Sequence, residues 1–341
     1  MGGIGFFVLL LGMLVGVHEA GHLLASLVCR VRVCEVGLGL PPRLARLGTW
    51  RGTAITLNLL PIGGFILPAG EFDRAQADGF AAAVPPRRAA ILVAGPAANF
   101  LLAYVLFTLA FVLGAPDRVR LVAVAPGSPA ADAGLRPGDV VLSANGIAVS
   151  STDALHAIID TRLDRTLDMV VERGEQELLL QLTPRLGWDP GGRAAGFEST
   201  GELVRYPLGA AALRATHPVG DLLRVLLGIQ RRGTSGDPGM RLVGVVGIKR
   251  VSDRALANAL DWGEPFPVLF VTASLSLALG ITNLLPLPGL DGGRLMLLAP
   301  ELLCRRRISD RIERRLNAAG VFCLLGFMAI LAIRDLAGSL H

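Results

Sequence analysis

Two histidines and a glutamate stand in the order His18-Glu19-Ala20-Gly21-His22, inside an apolar run that extends from Ile4 to about Val28. Such a run is long enough to cross a bilayer as a helix. On a helix, residues four apart lie about 40° apart around the axis and about 6 Å along it, so both imidazoles reach one metal ion. Glu19 is turned away by about 100°, which leaves it able to act on a metal-held water without being an obvious ligand. Ionisable side chains are costly inside a membrane and are kept there for a function or with a partner. With only five His in the chain, this spacing leaves little room for accident. Whatever the chain folds into must therefore bring a polar cavity to these residues within an apolar span.

The rest of the composition fits that constraint. At 341 residues, 52% hydrophobic and mean hydropathy +0.55, the chain is too apolar for an ordinary soluble protein. It reads as a polytopic membrane protein with a soluble insert. The net charge of +5 does not point to nucleic acid. The arginines are spread along loops flanking the apolar runs, with no stripe of basic and aromatic residues. The first apolar run has no basic segment before it and no clear small-residue cleavage site, so it is expected to remain as a span. Cys29, Cys34, Cys304 and Cys323 all lie in or beside apolar segments, which implies neither a disulfide framework nor paired CxxC metal sites.

Four spans are expected, at about residues 4–28, 89–113, 266–285 and 318–333. Between the first two, residues 34–70 are apolar but broken by Gly and Pro, and alternation around Thr53 to Leu59 suggests short strands with turns. Apolar strand backbone beside a span is tolerated where protein or a wet cavity surrounds it. A re-entrant β element near the metal is the reading taken, and a hairpin on the membrane surface is the other. The second span carries Ala94-Gly95-Pro96-Ala97-Ala98-Asn99, which allows close helix contact and a kink at Pro96. Asn99 serves either packing or the metal site, and spacing does not distinguish them.

Residues 117–187 change character and predict strands at Val119 to Val124, Asp139 to Ala144, Leu167 to Arg173 and Glu177 to Leu182. Helices are expected at Ala130 to Ala133 and Thr152 to Asp160, with Gly174 at a hairpin turn. Residues 191–264 read as an amphipathic linking region, with a helical stretch from Leu208 to Ile229 whose charges argue against a span. It lies on the membrane surface or packs against the spans, and Gly244 to Ile248 looks like a tight packing element. The third span ends at Asn283-Leu284-Leu285-Pro286-Leu287-Pro288, where two prolines stop a helix. Asp291 is then displayed from an irregular segment, as a third metal ligand or as a carboxylate in an ordinary turn. Arg30 and Arg32, together with the arginines from Arg305 to Arg315, favour a cytoplasmic location for residues 30–88 and 292–315. The N-terminus and residues 117–187 then lie outside, and His18 and Asp291 fall toward one side.

Taken together, these motifs resemble the site-2 protease family of intramembrane zinc metalloproteases, in particular its bacterial members with a PDZ domain. The resemblance rests on HExxH at His18 to His22, Gly37-Leu38-Gly39, Pro61-Ile62-Gly63-Gly64-Phe65 and Gly95-Pro96 with Asn99. It rests also on the NxxPxPxLDG pattern from Asn283 to Gly292 and on a PDZ-like run from Ala125 to Val141 continued by Asn145-Gly146. The implied fold is an α-helical membrane protein with about four transmembrane helices, a re-entrant β element and an extracytoplasmic α+β PDZ-like domain. Its parts are residues 1–113, a membrane metalloprotease half; 117–187, PDZ-like; 191–264, linking; and 265–341, the second membrane half. By the resemblance His18, His22 and Asp291 bind Zn2+, Glu19 is the catalytic base, and Asn283 contacts substrate. Gly37, Gly39, Gly63 and Gly64 belong to the segment that holds substrate as an extended strand. The implied substrates are single-span membrane proteins, such as anti-sigma factors or remnant signal peptides. The implied setting is the lipid bilayer of a bacterial inner membrane, with a peptide or substrate tail at the PDZ-like groove and no nucleic acid. The chain has one PDZ-like unit where well-known members carry two. A membrane scaffold with a structural metal and an ion transporter are the competing classes; the intact Glu19 argues against the first, and ionisable residues confined to the metal region argue against the second.

Overall fold

The computed structural model describes residues 2–149, 151–185, 194–220, 244–304 and 307–337. The chain divides into two compact units, one formed by Met1–Leu109 with Arg241–His341 and the other by Ala110–Met240.

In the first unit, α1 (Gly2–Val28) carries the HExxH pattern as one uninterrupted helix. It is followed by β1 (Val33–Trp50) and β2 (Thr53–Pro68), joined by a tight turn at Arg51 and Gly52, both with positive φ. The expectation of several short strands is corrected here: Gly and Pro bend the two long strands without ending them. Their register explains the shape. Glu35 to Leu38 pairs with Ala54 to Leu57 and again, in the opposite sense, with Gly64 to Leu67. Trp50 to Arg43 meanwhile returns along Thr53 to Asn58. The sheet is pinned from inside, since Thr56 donates a hydrogen bond to Glu35 at 2.7 Å and Arg43 pairs with the same carboxylate.

Next comes α2 (Pro85–Leu113), longer at its N-terminus than the expected span. After residue 244 the first unit resumes with α6 (Val245–Trp262), α7 (Phe266–Leu284), α8 (Asp291–Cys304) and α9 (Asp310–Ala337). Four helices, α1, α2, α7 and α9, are long and apolar enough to cross a membrane among the described residues. The Gly244 to Ile248 segment opens α6, and the Asp335 carboxylate of α9 accepts the Gly244 and Gly247 N–H groups, capping orphan donors of the first turn. Helix α8 was not expected, and Asp291 is corrected from an irregular segment to the first residue of this helix. Its sequence mixes charge with apolar residues at helical spacing and follows two prolines, so it reads as loop until its packing is known.

A buried ionic cluster ties the N-terminal and C-terminal parts of this unit. Arg88 at the start of α2 is 3% exposed and reaches Glu301 of α8 at 2.8 Å and Glu313 of α9 at 3.6 Å. Nearby, Arg294 pairs with Glu71 at 3.0 Å and lies over the Phe80 ring. These pairs hold residues 69–84, with Phe80 and Ala81 fully buried, against α8.

The second unit is a twisted antiparallel sheet in the order β7-β6-β4-β3-β8 with β5 on β4. The strands are β3 (Ala115–Val124), β4 (Val140–Ala144), β5 (Ile147–Ala148), β6 (Leu167–Arg173), β7 (Gln176–Leu182) and β8 (Phe197–Val204). Helices α3 (Pro129–Asp132) and α4 (Thr152–Asp160) begin at Ser128 and Ser151, whose side chains accept N–H groups of the first turn. Alternation on β6 buries Leu167, Met169 and Val171 against Val119, Leu121, Leu155 and Phe197. Asp139, also buried, accepts two hydrogen bonds of 2.7 Å from Arg173 and one of 2.9 Å from the Arg136 N–H. Burial pushes its carboxyl up, but these bonds prevail and hold it below the usual carboxylate range.

The linking region is corrected in part. Phe197–Val204 is no linker but an edge strand paired along its whole length with β3. Its middle, Glu198-Ser199-Thr200-Gly201-Glu202, is polar because that edge is solvated, which hides the strand from a hydrophobic pattern. Within the expected Leu208 to Ile229 helix, α5 (Leu208–Arg214) is helical, and positions 221–229 lie outside the described residues.

Candidate metal centre

Helix α1 sets His18 and His22 one turn apart, with ring centroids 4.7 Å apart and planes at 85°. Their Nε2 atoms are 3.1 Å from each other. Each also lies 3.2 Å from Oδ2 of Asp291. The third side chain gets there through a designed break. Leu285 leaves helical conformation, Pro286 and Pro288 forbid its return, and Gly289 turns the chain with φ 93°. Gly292 and Gly293 then let the new helix lie against the end of the old one and the connecting segment, since a Cβ at these positions would fall 2.2 Å from the Leu284 oxygen and 2.1 Å from the Leu287 oxygen.

These donors fit a tetrahedral cation. His22 Nδ1 faces the Ile91 carbonyl at 2.7 Å. A carbonyl only accepts, so Nδ1 carries a proton, and as a neutral ring His22 would present its Nε2 lone pair beside Asp291. Asp291 Oδ2 is itself buried with no hydrogen-bond donor. The two Nε2 atoms and Oδ2 thus face one common point at which a cation would be held. The edges of 3.1 Å, 3.2 Å and 3.2 Å match the ligand separation of about 3.3 Å that follows from tetrahedral zinc bonds of about 2.0 Å. Calcium or magnesium would demand more oxygen ligands.

Helix α2 supplies the surroundings. Gly95 permits the contact, because a Cβ there would sit 2.3 Å from His22 Nε2. Gly21 serves the same close approach, with Ala94 O 2.4 Å from its would-be Cβ. Asn99, which spacing left open between packing and the metal site, lies with its Nδ2 3.1 Å from His18 Nδ1. The run of small residues in α2 signalled close packing; that its partner is α1 at the histidines was not readable from sequence.

Two cavities meet at Glu19. One, of about 300 Å³, is shared with His18, His22, Asp291, Asn283 and Arg294. The other, of about 580 Å³, is largely apolar and lies between one face of α1 and the β1–β2 sheet. Gly37, Gly39, Gly63 and Gly64 all line it. Gly39 and Gly63 have φ of 83° and 82°, and a Cβ on Gly37 would meet the Phe65 ring at 2.2 Å. Gly64 lies against Glu19, whose Cγ is 3.7 Å from its would-be Cβ, and the Ile66 main chain reaches the Glu19 carboxylate. Asn283 lines the smaller cavity, but its Nδ2 donates to the Leu279 carbonyl of its own helix at 3.0 Å. Arg294 and Phe80, also in that wall, were not anticipated from sequence.

Comparison with known proteins finds similarity along nearly the whole chain. The family model described as peptidase family M50 matches residues 6–327. The chain is 30% identical over 384 residues to the metalloprotease MmpA of Caulobacter vibrioides, covering 98% of this chain and 96% of that protein. It is 30% identical over 365 residues to a Brucella suis protein, covering 97% and 94%, and 28% identical over 360 residues to a Campylobacter jejuni protein, covering 97% and 92%. Both of those carry "zinc metalloprotease" in their names. With the family model spanning nearly the whole chain, this protein belongs to peptidase family M50, the site-2 proteases.

Proposed function

We propose that the chain is a zinc-dependent endopeptidase that cleaves the transmembrane segments of single-span membrane proteins, with His18, His22 and Asp291 as ligands and Glu19 as base. The observation that carries this reading is the convergence of ligand atoms of His18, His22 and Asp291 beside Glu19, with both histidines on a helix apolar enough to span a membrane. A zinc ion so held supplies a Lewis acid for the scissile carbonyl and a position at which water gives up its proton near neutral pH. Glu19 takes the proton of the attacking water and passes it to the leaving amine. Asn283 contributes its side chain to the substrate wall of the same cavity. A helical substrate hides its carbonyls in its own hydrogen bonds, so it must unwind before attack. The β1–β2 sheet beside Glu19 offers those bonds back to an extended strand, and Gly37, Gly39, Gly63 and Gly64 give it room.

By the same reading, the protein sits in a bacterial inner membrane and acts in regulated intramembrane proteolysis on anti-sigma factors or remnant signal peptides. The α+β unit is PDZ-like, lies outside the cytoplasm and receives a peptide or substrate tail. The test is cleavage of a single-span substrate by the purified protein, comparing wild type, Glu19→Gln and chelator-treated enzyme. Loss of about 10²- to 10⁴-fold is expected for Glu19→Gln with zinc retained; equal cleavage by wild type and this variant refutes the mechanism.

A further inference from the structure

We propose that Asn99 is a positioning residue for His18 and that its carboxamide oxygen, acting as acceptor, is the atom that faces the ring. The inference rests on the zinc reading above. Asn99 is fully buried, and its main-chain oxygen accepts a hydrogen bond from the Ser276 hydroxyl of α7 at 2.9 Å, so the residue is fixed from two helices. Its Nδ2 stands 3.1 Å from His18 Nδ1, while its Oδ1 is buried without a donor. His18 commits Nε2 to the cluster with His22 and Asp291. A neutral imidazole that uses Nε2 as a ligand carries its proton on Nδ1.

An N–H facing an amide NH2 sets donor against donor. A half-turn of the carboxamide exchanges its two end atoms and sets acceptor against donor at the same separation. His18 then matches His22, whose Nδ1–H donates to the Ile91 carbonyl at 2.7 Å. Both outer partners come from α2, eight residues and about 12 Å apart along its axis. One helix thereby fixes the tautomer and tilt of both imidazoles, the arrangement by which outer partners raise ligand basicity.

The test is zinc affinity of the full-length protein in detergent, measured by competition with a chromophoric chelator. Asn99→Asp keeps an acceptor and has no donor, so it is expected to bind within about threefold of wild type, whereas Asn99→Ala loses about 10- to 100-fold. Asn99→Asp as weak as Asn99→Ala overturns the proposal, and so does Asn99→Ala binding like wild type. Should either variant not fold, 15N NMR of histidine-labelled, zinc-loaded wild type decides: a proton on His18 Nδ1 supports the proposal and its absence overturns it. Wild type that binds no zinc overturns the zinc reading itself, and this inference with it.

Discussion

Replacing Gly95 by alanine adds one methyl group to α2, and the structure sets its two effects in opposition. In an unobstructed helix the change stabilises by up to about 1 kcal/mol. At Gly95 the new Cβ would lie 2.3 Å from Nε2, 2.7 Å from Cε1 and 2.8 Å from Cδ2 of His22. Since ordinary contacts begin near 3.4 Å, the ring must retreat by about 1 Å. A side chain yields more readily than two packed helices, so the fold survives and the donor triangle does not. Its edges of 3.1 Å and 3.2 Å at His22 then no longer match tetrahedral zinc. Displacement of this size costs about 10²-fold in catalysis, and a similar loss of zinc affinity is expected. The assay pairs zinc titration and cleavage with thermal unfolding in chelator, where Gly95→Ala should melt no lower than about 1 kcal/mol below wild type. Gly5→Ala on α1, which meets nothing within 4 Å, is the control and should leave both activities unchanged. Gly95→Ala with wild-type zinc affinity refutes the argument.

Gly37→Ala drives a Cβ into the Phe65 ring and distorts the sheet beside Glu19, so cleavage should fall at least tenfold while zinc affinity, measured in parallel, stays within about threefold. Arg88→Met leaves the buried Glu313 without its guanidinium and Glu301 with Arg307 alone, and should destabilise the first unit by about 3 kcal/mol, read as a lower melting temperature in detergent. Asp139 has a folded pKa below its unfolded value of about 3.9, so its contribution is complete above that pH and is lost as pH falls through the folded value. Asp139→Asn should therefore lower protection of β4 and β6 amides at pH 7 and flatten the acid limb, as seen by hydrogen exchange.

The legible part of the site is the part set by local spacing. His18, Glu19 and His22 stand on one helix, and a helix fixes their relative placement without further help. Asp291 was legible through its motif, and the break at Pro286 and Pro288 through elementary backbone chemistry. Gly95 and Ile91 were not legible as metal surroundings, and Asn99 was left open between packing and the metal site, because their role depends on which face of α2 meets α1. Helices α6 and α8 escaped for a related reason. They mix Arg, Asp and Glu with apolar residues, a pattern shared by surface loops, and only packing on α1, α7 and α9 gives them a buried side. The strand Phe197–Val204 escaped because an edge strand needs little apolar alternation.

Asp291 enters the site from a helix far along the chain from the one that carries the histidines. Synthesis proceeds from the N-terminus, and so His18 and His22 exist throughout the synthesis of everything between α1 and α8 without the carboxylate that completes their triangle. A nascent or truncated chain ending before α8 offers only two of the three donors. Catalytic competence is thus delayed until α8 has been made, and a shorter nascent chain is spared the ability to cut its neighbours.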